Sequence, residues 1–121
     1  MKYTKQALGK PATFLLPLVK LRREWEPGQG KQVAQAVEEY LLAHFGAYTA
    51  AAGNIFGEWR DPKTGKVFYG DHREYSVAFE GKELIPLLER FIATVAVVIS
   101  EECIYMTTGE DAWLIYPEKN V

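Results

Sequence analysis

Apolar positions change their spacing several times along this chain, and the changes mark its elements. Ala12 to Trp25 carries Phe14, Leu15, Leu16, Leu18, Val19 and Leu21, which predicts a strand. Pro17 within it predicts an edge position or a bulge, because proline cannot donate to a β-ladder. Pro27, Gly28 and Gly30 make a loop. From Lys31 the period becomes helical: Val33, Ala36, Val37, Tyr40, Leu41 and His44 share one face. This predicts a helix from Lys31 to Phe45, closed by Gly46. Tyr48 to Arg60 and Lys66 to Glu80 read as two strands around Asp61-Pro62-Lys63-Thr64-Gly65, where Pro62 presets φ and Gly65 can take a positive value. In the second strand the odd positions Val67, Tyr69, Tyr75, Val77 and Phe79 are apolar, while His72, Glu74 and Ser76 alternate with them, as in a sheet with one buried face.

Gly81 breaks that strand. Leu84, Leu87, Leu88, Phe91, Ile92, Val95 and Ile99 then form a second helical stripe, with Pro86 in its first turn, where a missing N–H costs little. Ala93 to Ile99 is apolar nearly all round, so either another chain covers it or it runs into the next strand. Cys103 to Thr107 and Ala112 to Tyr116 read as short strands around Thr108-Gly109-Glu110-Asp111, and Pro117 ends the second.

The order strand, helix, strand, strand, helix, strand predicts an α+β fold of the ferredoxin-like, split βαβ type. Right-handed crossovers give an antiparallel sheet with two helices on one face, extended by a short C-terminal strand. The 121 residues fit one domain, with residues 1–11 as a loose arm and 117–121 as a polar tail. Such a sheet leaves one face open. Phe56, Trp59, Tyr69 and Tyr105 are more aromatic surface than two helices can cover, which predicts a homo-oligomer, a dimer by preference.

Composition narrows the function classes. A net charge of -2 from 14 basic and 16 acidic residues sets up no field suited to nucleic acid or an anionic membrane. The mixed run Lys20 to Glu26 reads as a solvated strand end. No apolar run approaches the ~20 residues of a membrane span. The N-terminal apolar stretch contains Pro17 and lacks a signal-peptide cleavage pattern. A cytoplasmic protein is the expectation. The single cysteine, Cys103, allows no internal disulfide and reads as a small buried hydrophobe. His44 reads as a helix-end residue beside the dipole. No Cys or His pair has metal-ligand spacing, so neither a metal nor a cofactor is expected. Gly53, Gly57, Gly65 and Gly70 lie inside a hairpin, unlike the glycines of a phosphate loop, and mark a bulge or a close backbone approach.

The candidate chemistry is in that hairpin. If Asp61 pairs near Lys66, Trp59 falls opposite Phe68 and Ile55 opposite His72. His72, Glu74 and Ser76 then project to one side, with Trp59 as an aromatic wall. His72 is the candidate acid or base, with Glu74 to orient or charge it. Trp59, Arg60, Arg73, Ser76 and Tyr105 are the candidate ligand-binding residues, the arginines for an anionic group. The alternative is that His72 is structural and that Arg73 and Glu74 form ordinary cross-strand surface pairs.

Gly57-Glu58-Trp59, Gly65 and Glu74-Tyr75-Ser76 resemble the Gly-x-Trp, turn glycine and Glu-x-Ser pattern of a small bacterial family of unknown function. The likeness runs from about Ala47 to Met106, although the gap from Gly65 to Glu74 is longer here and many members are exported. The resemblance implies a domain of the dimeric α/β-barrel type and names no substrate. Three functions follow as expectations. The first is a module holding a small, anionic ligand or a partner on the open sheet face. The second is a small acid/base enzyme using His72 and Glu74. The third is a trimeric signalling protein resembling the PII class, against which the short Asp61–Gly65 turn counts.

Overall fold

The structure is a computed structural model, and it describes residues 2–6, 8–51, 53, 55–79, 84–109 and 111–118. Its elements are β1 (Lys10–Pro17), a 3-10 turn (Leu18–Lys20), α1 (Val33–Phe45), β2 (Thr49–Ala50), β3 (Ile55–Arg60), β4 (Val67–Phe79), α2 (Leu84–Val98), β5 (Ile104–Thr108) and β6 (Asp111–Ile115). The strands form one antiparallel sheet in the order β2-β4-β1-β5-β6, with β3 on the same edge of β4 as β2. With β2 and β3 counted as one interrupted strand, this is the expected ferredoxin-like order, extended at the β5 edge by β6. The expected strand break at Gly81 lies outside the described residues, as does Glu110 of the expected turn before β6.

Two expectations are corrected. β1 is a central strand, paired with β4 on one side and β5 on the other, although it contains a proline. Pro17 is its last residue, and pairing with β5 extends only from Ala12 to Phe14, so the missing N–H breaks no inner ladder. The strand predicted to run to Trp25 stops there. The strand predicted from Tyr48 to Arg60 is two pieces. Ala50 lies opposite Tyr75 and Ile55 opposite His72; Ala52 and Asn54, which the expected strand included, lie outside the described residues.

The core lies between the helices and one face of the sheet. Phe14 and Leu16 from β1, Tyr75 and Val77 from β4, and Ile104 and Met106 from β5 meet Val33, Val37 and Leu41 of α1 and Leu88, Ile92 and Val95 of α2. Gly46 closes α1 at φ +76, the left-handed value that glycine takes without a Cβ penalty. The apolar end of α2 stays helical through Val98; Val95 and Ala96 are buried and Val97 is exposed. Among the described residues no helix is long and apolar enough to cross a membrane.

One polar cluster is built into the helix-covered side. Glu38 of α1 accepts hydrogen bonds from the Tyr75 hydroxyl at 2.8 Å and the Tyr48 hydroxyl at 3.3 Å, and lies 3.8 Å from the Arg73 guanidinium. Burial, with the Glu38 hydrogen bond adding to it, raises the Tyr75 phenol from 10.0 to about 12. Its neutral form is therefore favoured by folding. The stability this confers is complete below pH 10 and is lost as pH rises through about 12. A Tyr75→Phe variant should show a shallower loss of stability between pH 10 and 12 than the parent in urea titrations; equal slopes would remove Tyr75 from the account.

Candidate functional site

The period of two along β4 separates the hairpin's side chains. Arg73, Tyr75 and Val77 face the helices, and His72, Glu74 and Ser76 face the open side. The register is the one expected: Ile55 opposite His72, Gly57 opposite Gly70, and Trp59 opposite Phe68. Ile55, Gly57 and Trp59 therefore share the face of Phe68 and His72. The Trp59 ring folds back over Gly57, where an added Cβ would sit 3.2 Å from ring carbon Cζ3. Opposite, Gly70 takes φ +142, outside the range open to other residues, and the strand leaves the flat pleat there.

Beyond those glycines the hairpin arches across the open face. β3 lies at one edge of the sheet and β6 at the other, yet their ends meet. The Tyr116 hydroxyl, just after β6, donates to the Asp61 carboxylate, just after β3. The same carboxylate accepts from the Lys63 amide at 2.9 Å and the Thr64 hydroxyl at 3.1 Å. Lys63 Nζ lies 4.6 Å from the centre of the Tyr116 ring, and Lys66 pairs with Glu102 at 3.2 Å. Asp61 is fully buried. These contacts latch the hairpin tip to the far edge and curl the sheet toward a partial barrel. The Asp61–Gly65 turn is thus tied down against the molecule.

Under the arch is a cavity of about 340 Å³. Its walls include Trp59, Phe68 and Tyr69 from the hairpin, Leu15 and Pro17 from β1, His72 from β4, and Cys103, Ile104 and Tyr105 at β5, together with the charged residues Lys20, Asp71 and Glu101. The Trp59 ring centre lies 5.1 Å from that of His72, 6.1 Å from Phe68 and 6.4 Å from Tyr105. Trp59 Nε1 is out of contact with water and has no hydrogen-bond partner among the described residues. A buried donor left unpaired is costly.

His72 is 5% exposed, and its Nδ1 lies 2.9 Å from the Gly70 carbonyl oxygen. A carbonyl only accepts, so Nδ1 carries a proton, and in the neutral form of the ring the lone pair is on Nε2. The group orienting His72 is therefore Gly70. Among the described residues no hydrogen bond joins His72 to Glu74, which had been expected to orient it. Glu74 projects from the open face opposite Leu15, and Ser76 opposite Thr13; neither lines the cavity.

The two arginines are not brought to the cavity. Arg73 lies on the helix-covered side against Glu38, because a strand turns successive residues to opposite faces. Arg60 is exposed and alternates with Trp59 toward the outer face of the hairpin. Of the four aromatic residues expected to form one surface, Trp59, Tyr69 and Tyr105 line the cavity, Tyr69 while still 74% exposed, and Phe56 lies outside it, 67% exposed. Phe68 was missed, although its parity with His72 marks it. Lys20, Glu101 and the Asp61–Tyr116 contact left no periodic signal, since they lie in segments between strands. His44 is in the last turn of α1 with its ring against Tyr40. Among the described residues no three His, Cys, Asp or Glu side chains are grouped to hold a metal ion.

No protein-family model matches the chain, and no curated protein does. Two solved structures share its fold from end to end. They are a phage SAM lyase in complex with S-methyl-5'-thioadenosine, 10% identical, and a phage SAM lyase in its apo state, 11% identical. Each match covers 100% of this chain and 99% of the other, with a TM-score of 0.59. At that identity the likeness shows the fold.

The Tyr116 hydroxyl bond, backed by the Lys63 and Thr64 contacts, holds Asp61 below the usual carboxylate range. A lowered folded value means stability that is present above pH 3.8, the ordinary value, and lost as pH falls further. Asp61→Asn should therefore destabilise the protein at neutral pH, and the gap from the parent should narrow below pH 3.8 in denaturant titrations; a constant gap would contradict this. Cys103 reports on the latch directly. It is buried under it, and burial, with Asp61, Glu102 and Glu101 nearby, raises its thiol to about 11. Tyr116→Phe should speed modification of Cys103 by an aromatic disulfide about ten-fold, as expected for losing one hydrogen bond to a charged group. An unchanged rate would mean that the Tyr116 bond does not hold the hairpin tip over Cys103.

Proposed function

We propose that this protein binds a small adenosyl sulfur compound, S-adenosylmethionine or S-methyl-5'-thioadenosine, in the cavity under the hairpin. The observation that carries this is a cavity walled by aromatic rings, one of which, Trp59, has a buried Nε1–H without a hydrogen-bond partner among the described residues. A flat heteroaromatic base with ring-nitrogen acceptors meets both features: it stacks on Trp59, Phe68 or Tyr105 and accepts the orphaned hydrogen bond. The aromatic faces also suit a sulfonium cation. The cavity volume is within the range of small-molecule sites. The end-to-end fold likeness to a protein whose complex holds S-methyl-5'-thioadenosine supports the same class of ligand. A second copy of the chain covers the remainder of the open face, where Thr13, Glu74, Ser76 and Thr107 lie outside the hairpin's reach.

A catalytic version of this reading is favoured by one observation, the Gly70 carbonyl that leaves His72 Nε2 as a free base in the cavity wall. In that version His72 Nε2 takes a proton from the β-carbon of the amino-acid chain of S-adenosylmethionine, the C–H pair forms a β–γ double bond, and the γ-carbon–sulfur bond breaks with its pair going to sulfur, so that S-methyl-5'-thioadenosine leaves as the neutral thioether beside an unsaturated amino acid; the chain is then a lyase rather than a binding module.

Titration calorimetry with S-methyl-5'-thioadenosine tests the binding. The parent should bind, and Trp59→Phe, which keeps a ring but loses the N–H, should bind about ten-fold more weakly. Absence of binding by the parent of both S-methyl-5'-thioadenosine and S-adenosylhomocysteine would overturn the proposal. Incubation with S-adenosylmethionine separates the two versions. Release of S-methyl-5'-thioadenosine that is lost in His72→Gln, with binding retained, marks the enzyme; binding without turnover in the parent marks the module.

A further inference from the structure

The cavity is lined mostly by apolar and aromatic residues, with three charged ones, the exposed Asp71 and the ion-paired Lys20 and Glu101. Lys20 Nζ and Glu101 Oε1 are 3.1 Å apart, and their side chains are only 17% and 16% exposed. Lys20 stands in the 3-10 turn after β1, and Glu101 lies between α2 and β5. Lys20 Nζ also donates to the Ser100 carbonyl at 3.3 Å, which fixes the ammonium in place. Both residues line the cavity that Trp59 and His72 line.

We infer that the Lys20–Glu101 pair is a receptor for the zwitterion of an α-amino acid, and that it selects ligands carrying that group over the bare nucleoside thioether. This rests on the reading of the cavity as an adenosyl-ligand site and specifies its selectivity. An α-amino acid presents a carboxylate and an ammonium a few ångströms apart, the same separation and the opposite order. Set against the pair, its carboxylate meets Lys20 and its ammonium meets Glu101, so every charge keeps a partner and no net charge is buried. That balance matters, because a charge withdrawn from water without a partner is expensive. A ligand with only an anion or only a cation would leave one member of the pair opposed by a like charge. The remaining features of the cavity fit the other end of such a ligand, with Trp59 Nε1 and the aromatic walls taking the base.

The test compares two probes on the full chain by titration calorimetry. S-adenosylhomocysteine carries the amino acid and has no sulfonium to cleave; S-methyl-5'-thioadenosine lacks the amino acid. The parent should bind the first about ten-fold to a hundred-fold more tightly, the size of charge-assisted hydrogen bonds gained. In Lys20→Met, which keeps the apolar stem, and in Glu101→Gln, which keeps the Lys20–Ser100 bond available, this ratio should collapse to within about three-fold. Melting temperatures of both variants distinguish lost recognition from lost folding, and because Lys20 also holds the end of α2, Glu101→Gln is the decisive one. Equal affinity of the parent for the two probes, with clear binding of each, would overturn this inference and leave the cavity reading standing. A ratio unchanged in Glu101→Gln would also overturn it and assign the pair to holding α2. No binding of either probe would overturn the cavity reading and this inference with it.

Discussion

The hydrogen bond from Tyr116 to Asp61 joins the two opposite edges of the sheet, and the form of the candidate site depends on it. An open ferredoxin-like sheet presents a shallow face, which holds small molecules poorly because little of their surface leaves water. Here the β3–β4 hairpin is long enough to cross that face, and the contact at its tip keeps it there. Asp61 can be fully buried because its carboxylate accepts from Lys63, Thr64 and Tyr116; an unpaired carboxylate in that place would not stay ionised. Trp59 and Phe68 are carried over the face by this arch, and His72 and Cys103 become covered by it.

The paired glycines serve the same geometry. Gly57 leaves room for the Trp59 ring, and Gly70 adopts a backbone angle closed to other residues. Gly70 also presents its carbonyl to His72, fixing which ring nitrogen holds the proton. A distortion of one strand therefore shapes the wall and sets the chemistry of the candidate base. On the other side of the same strand, Arg73 and Tyr75 spend their polar groups on Glu38, tying β4 to α1. The hairpin strand separates a structural network from a candidate site, one residue apart.

Local pattern made much of the fold legible. The alternation in β4 identifies the core positions Tyr75 and Val77 but not Val67 and Tyr69, which lie in the arched part of the hairpin and are 42% and 74% exposed, and Val33, Val37, Leu41, Leu88, Ile92 and Val95 are buried as their helical spacing requires. Asp61-Pro62-Lys63-Thr64-Gly65 fixes the turn and so the register that sets Trp59 opposite Phe68. The reading failed where pairing with a distant strand decides the outcome. Pro17 belongs to a central strand because β5 stops short of it. The strand after Tyr48 is two strands, Thr49–Ala50 and Ile55–Arg60, each paired with β4. Glu74 does not serve His72, because the hairpin bends and a backbone carbonyl takes that position.

What the sequence by itself determined is the order of the elements, the two faces of each strand and helix, and the placing of His72, Glu74 and Trp59 on the face away from the helices. These follow from backbone periodicity, which acts over a few residues. Only the tertiary structure decided that the hairpin closes on the far edge, that Lys20 and Glu101 meet in the cavity wall, and that Arg60 and Arg73 stay outside it. Those outcomes depend on contacts between residues tens of positions apart, such as Asp61 with Tyr116, and no short-range spacing encodes them, because a curl of the sheet brings the partners together.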